Sequence, residues 1–197
     1  VNTVVISADG KMTGHNTDVT GFLAGFAAHG VALAGKRAVL IGAGGAARAA
    51  LWGLLRSGVS SVCIGVRNLT KGEALCTDFA ADGTLAAYCF DDSRFRNELC
   101  AADIVVQTTP IGMSPQTEAI PPVDIAAIPP SAAVYDLIYT PAETAFLRAA
   151  AAHGCTAING EIMLVMQGAE AFSLWTGVRP NTDLMQRVLR EELARRG

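Results

Sequence analysis

Four apolar residues, Ala38-Val39-Leu40-Ile41, run directly into Gly42-Ala43-Gly44-Gly45-Ala46-Ala47, and the residues after that turn have the spacing of a helix. The glycine pattern alone is weak; a strand before it and a helix after it are the context it requires. Gly42 permits a tight bend, Gly44 lets backbone approach a ligand, and the small Ala47 lets helix and strand pack closely. The helix start presents unsatisfied N–H groups that attract phosphate. The turn therefore predicts a dinucleotide site at Gly42, Ala43, Gly44, Gly45 and Ala46.

From Lys36 onward, apolar strand-like segments alternate with helical ones, the pattern of a parallel sheet covered on both faces. The expected strands are Ala38–Ile41, Ser61–Val66, Leu85–Phe90, Asp103–Thr108, Ala133–Ile138 and Thr156–Ile158. The expected helices between and after them are Ala46–Ser57, Lys71–Ala81, Thr144–His153, Glu161–Thr176 and Thr182–Arg195. The fold class is α/β, a doubly wound six-stranded parallel sheet of the Rossmann type. Ahead of it, Val1 to Ile6 turns at Asp9-Gly10 into a short return arm, a hairpin without a core of its own. Asn16-Thr17-Asp18 supplies capping residues for a helix that ends near Gly30. Six prolines between Pro110 and Pro130 remove backbone donors and predict a long loop there.

An NAD site usually carries an acid at the end of the second strand, to hold a ribose hydroxyl. No Asp or Glu occurs between Gly45 and Lys71. The second strand instead delivers Arg67-Asn68-Leu69-Thr70-Lys71, where Arg67 offers a fork of charge-assisted bonds and Lys71 a point charge. Those residues suit a 2′-phosphate, so the expected cofactor is NADP.

The remaining composition narrows the class further. The formal charge is −3 with scattered Lys and Arg, which gives no footprint for nucleic acid or an anionic membrane. No apolar run reaches the roughly 18 residues of a membrane span, and a cytoplasmic location is expected. The five cysteines, Cys63, Cys76, Cys89, Cys100 and Cys155, form no CxxC pair and are expected to be reduced and mostly buried. His15, His29 and His153 lack metal-ligand spacing, so no metal is expected.

Motifs beyond the glycine turn add a resemblance. They are Val1-Asn2-Thr3-Val4; Gly14-His15-Asn16-Thr17-Asp18 with Gly21; Thr109-Pro110-Ile111-Gly112-Met113; Asp136-Leu137-Ile138-Tyr139 with Pro141 and Thr144; and Asn159-Gly160 through Gln167. In this order, and with the glycine turn, they resemble the shikimate dehydrogenase family over the whole chain. The resemblance implies an NADP-dependent oxidoreductase interconverting shikimate and 3-dehydroshikimate, with a small cyclic hydroxy acid as its partner. It implies that Asn2, Asp18, Tyr139 and Gln167 bind substrate, and that Asp18 partners a catalytic lysine. Thr109, Gly160 and Met163 join Arg67 and Lys71 as cofactor residues.

The resemblance also implies a substrate domain before Val1, holding that lysine, so the chain alone is expected not to turn over shikimate. Lys11, in the hairpin, is not its counterpart. On this reading residues 1–17 end a substrate domain, 18–159 form the NADP-binding domain, and 160–197 are helices returning toward the substrate domain. Two departures stand out: Gln107 replaces the family's usual Asn, and Val66-Arg67-Asn68 replaces Asn-Arg-Thr. Two alternatives stay open, a quinate/shikimate dehydrogenase using NAD or both cofactors, and a nucleotide-binding module without catalysis. Each substrate residue also has a plain reading: Asp18 as a helix cap, Asn2 as an edge-strand residue, Tyr139 as a strand-end aromatic. Gln167 interrupts the apolar run Ile162 to Met166, where an unpaired buried amide is costly. It must reach solvent or a ligand. The oligomeric state is left open.

Overall fold

Val39 and Ile41 pack into one core with Phe95, Val105, Val134 and Phe146, whereas Ala38 and Leu40 pack into another with Leu51, Ile64, Val106 and Tyr135. Alternating side chains that are buried on both faces define a central strand between two helical layers. The computed structural model, which describes residues 1–196, has this architecture.

The main sheet contains β3 (Arg37–Ile41), β4 (Ser61–Val66), β5 (Leu85–Cys89), β6 (Ile104–Gln107), β7 (Ala133–Asp136) and β8 (Thr156–Ile158). Their order is β5-β4-β3-β6-β7-β8, and every pairing is parallel. The order reverses between β3 and β6, so the loops leaving their carboxyl ends splay apart and open a crevice. A separate antiparallel hairpin, β1 (Thr3–Ile6) and β2 (Met12–His15), pairs Thr3 with His15.

Around the sheets lie α1 (Asp18–Ala28), α2 (Gly45–Arg56), α3 (Leu69–Asp78), α4 (Ser93–Cys100), α5 (Ala145–Ala152), α6 (Glu161–Thr176) and α7 (Thr182–Arg196). Helix α1 packs against α2 and α6. Gly21 makes the second contact possible, because a Cβ there would lie 2.5 Å from the Met163 carbonyl oxygen. The hairpin is fastened to α6 by Trp175, whose indole Nε1 donates to the Val4 carbonyl at 3.0 Å.

Several expectations need correction. Helix α4 is an addition to the expected elements; Asp92 caps it by accepting from the Arg94 amide at 2.8 Å, and Phe95 and Leu99 bury its one apolar edge. Strand β7 stops at Asp136 rather than Ile138, since the buried Asp136 carboxylate accepts from the Ile138 amide and turns the chain. Helix α3 runs from Leu69 to Asp78 rather than from Lys71 to Ala81, and Lys71 stays in its first turn. Asp18 does not cap α1: Thr17 holds that position and makes no side-chain cap. The cysteines are less buried than expected, with Cys63 and Cys155 inside, Cys76 and Cys89 intermediate, and Cys100 exposed at the end of α4. The Pro-rich segment is irregular apart from a 3-10 turn at Ile125–Ala127.

Candidate active site

Two clefts border the start of α2, Gly44 lining one and Ala46 the other. The first, about 420 Å³, is lined by Gly42, Ala43, Gly44, Arg67, Lys71 and Thr109, all expected cofactor residues. Val66, Asn68, Phe90, Thr108, Pro110 and Ile111 complete it, and Phe90 and Thr108 are revealed only by their place around the crevice.

The glycines are shaped for this position. Gly42 has φ +110°, and a Cβ there would meet Thr108 Oγ1 at 2.7 Å, so the turn closes tightly against the end of β6. Gly44 and Gly45 are the opposite case. A Cβ at either would meet no protein atom within 4 Å, which leaves the helix N-terminus open to a ligand. Ala47, fully buried, packs α2 onto the sheet. Gly45 opens α2 without lining either cleft.

Arg67 and Lys71 face this cleft. Arg48, Arg94 and Arg148 are each paired with a carboxylate, but among the described residues Arg67 and Lys71 form no ion pair. No acidic side chain lines the cleft with them. An open helix terminus, two unpaired cations and a glycine cradle fit a phosphorylated dinucleotide.

The far wall is set by Gln107, which is fully buried. Its Nε2 donates to the Thr109 and Ile111 carbonyls at 2.9 and 3.0 Å, while its Oε1 accepts from the Thr109 amide at 2.6 Å. One side chain thus fixes the loop along the cleft. The longer amide in place of the family's usual Asn still satisfies these three backbone groups.

The second cleft, about 410 Å³, brings together Asn2, Asp18, Tyr139, Gly160, Met163 and Gln167, with Ala46 forming the wall toward the glycine turn. These residues come from the hairpin arm, α1, the segment after β7, and α6. Asn2 Nδ2 donates to Asp18 Oδ1 at 2.8 Å and to Thr17 Oγ1 at 3.0 Å, and Asn2 Oδ1 accepts from the Thr17 amide at 2.9 Å. The asparagine therefore clamps the start of α1 and orients its carboxylate. Gly21, one turn on, brings α1 close enough to α6 to set Asp18 beside Met163 and Gln167. Gln167 is partly exposed in the cleft, with Nε2 donating to its own helix at Leu164.

Tyr139 and Gly160 are held from behind. Asp136, fully buried, accepts from Thr144 Oγ1 at 2.7 Å and from the Ile138 amide at 3.1 Å, and so folds 137–144 into one loop. Burial pushes its carboxyl up to about 6, against the opposing pull of those two hydrogen bonds. A carboxyl raised from its ordinary 3.8 stabilises the fold fully below about pH 4, and that stability is lost as pH rises through about 6. The gap corresponds to about 3 kcal/mol. Asp136→Asn should flatten the fall in urea midpoint between about pH 4 and 6; equal slopes in both proteins would show that Asp136 titrates normally.

Residues 26–114 match the model of the family described as shikimate / quinate 5-dehydrogenase, and 162–190 match the shikimate 5'-dehydrogenase C-terminal domain. Over 198 residues the chain is 39% identical to a shikimate dehydrogenase (NADP(+)) of Desulforamulus reducens, covering 99% of this chain and 68% of that protein. The chain belongs to the shikimate dehydrogenase family. A shikimate dehydrogenase (NADP(+)) of Moorella thermoacetica is 43% identical over 98% of this chain and 65% of its own length. The shikimate dehydrogenase fold is matched by the crystal structure of shikimate 5-dehydrogenase from Listeria monocytogenes in complex with shikimate and NAD. Its TM-score is 0.88 at 30% identity, over 94% of this chain and 66% of that one. The chain thus spans about two thirds of the length of these relatives.

Proposed function

We propose that this chain supplies the cofactor side of an NADP-dependent dehydrogenase that interconverts shikimate and 3-dehydroshikimate. The observation that carries the reading is the placement of the two clefts at the start of α2, Gly44 lining one and Ala46 the other, with unpaired Arg67 and Lys71 in the first and the Asn2–Asp18 pair in the second. Bound NADP supplies the two-electron redox chemistry. The backbone from Gly42 to Ala46 holds the pyrophosphate, and Arg67 and Lys71 meet the 2′-phosphate. Thr109, Gly160 and Met163 border the rest of the cofactor.

In the second cleft Asn2, Tyr139 and Gln167 orient ring hydroxyls, which decides which carbinol faces the cofactor. Asp18 keeps one oxygen bonded to Asn2 and offers the other to a second donor. In that role it holds a neighbouring cationic base that moves the hydroxyl proton. The cofactor-binding body covers 18–159, the hairpin of 1–17 belongs to the substrate side, and 160–197 bridge the two.

Shikimate-dependent NADPH formation by a protein containing this chain tests the reading. Asp18→Asn should lower kcat about 100-fold while leaving the KM for NADP unchanged. Faster oxidation of quinate with NAD would favour a quinate/shikimate enzyme instead. NADP binding without turnover of either acid would leave a nucleotide-binding module.

A further inference from the structure

Helix α7 lies across α6 with no buried side chain among residues 182–195. It nevertheless reaches one buried charge. Arg190 Nε donates to Glu161 Oε2 at 2.8 Å, with the Glu161 side chain only 9% exposed and Arg190 60% exposed. Glu161 is the first residue of α6, directly after Gly160 and two before Met163, which both line the second cleft.

Besides the Glu161 amide donating to Asn159 Oδ1 at 3.2 Å, three ties run from the turn 159–161 to other segments. The Gly160 amide donates to the Ile138 carbonyl at 2.9 Å, and Asn159 Nδ2 donates to the Ala142 carbonyl at 2.9 Å. Both run to the loop that carries Tyr139. The third is Glu161 with Arg190, and it alone runs to α7. A buried carboxylate deprived of its cation is left uncompensated, which is costly. Losing the pair leaves the Glu161 carboxylate without its cation at the start of α6, one residue from Gly160 and two from Met163.

We propose that Arg190 is a positioning residue: by pairing with Glu161 it couples the docking of α7 to the placement of the Gly160–Met163 wall. Helix α7 is weakly packed, and such an element opens locally at low free-energy cost. Its docking therefore sets how often the wall is correctly formed. The consequence for cofactor affinity rests on the function proposed above; the structural coupling does not.

Hydrogen–deuterium exchange and calorimetric NADP titration of the 197-residue chain test this. In Arg190→Gln, amides of 159–165 and of 182–195 should both exchange about ten-fold faster, and the NADP Kd should rise about five-fold. Arg190→Lys should recover most of both effects. Arg195→Gln, on the same helix but away from Glu161, should leave 159–165 unchanged. Should Arg190→Gln fold poorly, Glu161→Gln gives a second reading, with faster exchange over 182–195 as α7 loses its anchor. Faster exchange confined to α7 in Arg190→Gln, with 159–165 and NADP affinity unchanged, would overturn the coupling. If the unsubstituted chain binds no NADP, the functional reading falls, and exchange at 159–165 still decides the coupling.

Discussion

Gly160→Ala should destabilise the chain by about 3 kcal/mol, near the upper end for an overpacked site. The added Cβ would lie 2.1 Å from the Leu137 carbonyl oxygen and 2.6 Å from its carbon. Both are backbone atoms, so no rotamer change relieves the clash. Gly160 has φ −78°, which alanine adopts freely, and the cost is purely one of space. Relief requires α6 to withdraw from the segment after β7, breaking the Gly160 to Ile138 hydrogen bond and pulling Gly160 away from Tyr139. Urea unfolding measures this. A midpoint equal to that of the unsubstituted chain would mean the approach is looser than described.

Gly44→Val should behave in the opposite way, keeping stability within about 0.5 kcal/mol and losing NADP affinity by about 100-fold or more. Gly44 has φ −90° and ψ −167°, an extended conformation open to valine, and a Cβ there meets no protein atom within 4 Å. The space is free in the protein because, on the proposed reading, the pyrophosphate fills it. Thermal unfolding together with NADP titration separates the two effects. Full NADP affinity in the folded variant would show that the cofactor does not approach this turn.

These two glycines also show what the sequence disclosed. Gly44 stands in a local pattern, strand then turn then helix, whose chemistry is readable without any distant residue. The constraint on Gly160 comes from Leu137, and no spacing rule connects the two. The sheet was legible because its strands are short, apolar and bounded by turns. Helix α4 was not, because it has only eight residues and buries Phe95 and Leu99 alone; Asp92 ahead of that i, i+4 pair was the available signal.

The second cleft was legible only through resemblance. Asn2 and Asp18 belong to different elements, and their hydrogen bond depends on the hairpin folding back onto α1. The roles of Gln107 and Arg190 lay further out of reach. The first acts on a loop whose path prolines leave irregular, and the second on a residue 29 positions away in another helix. The strand end at Asp136 was misplaced because an apolar Leu137-Ile138 looks like more strand, whereas a buried carboxylate bonded to the Ile138 amide and to Thr144 ends it.

Arg67, just past the end of β4, and Lys71, in the first turn of α3, are unpaired among the described residues and make this a site for NADP on the proposed reading. Calorimetric titration of the chain with NADP and with NAD tests that role most directly. NADP should bind about ten-fold more tightly or better, and Arg67→Ala should remove most of that margin while leaving NAD affinity unchanged. Equal affinity for the two cofactors, or tighter binding of NAD, would contradict it.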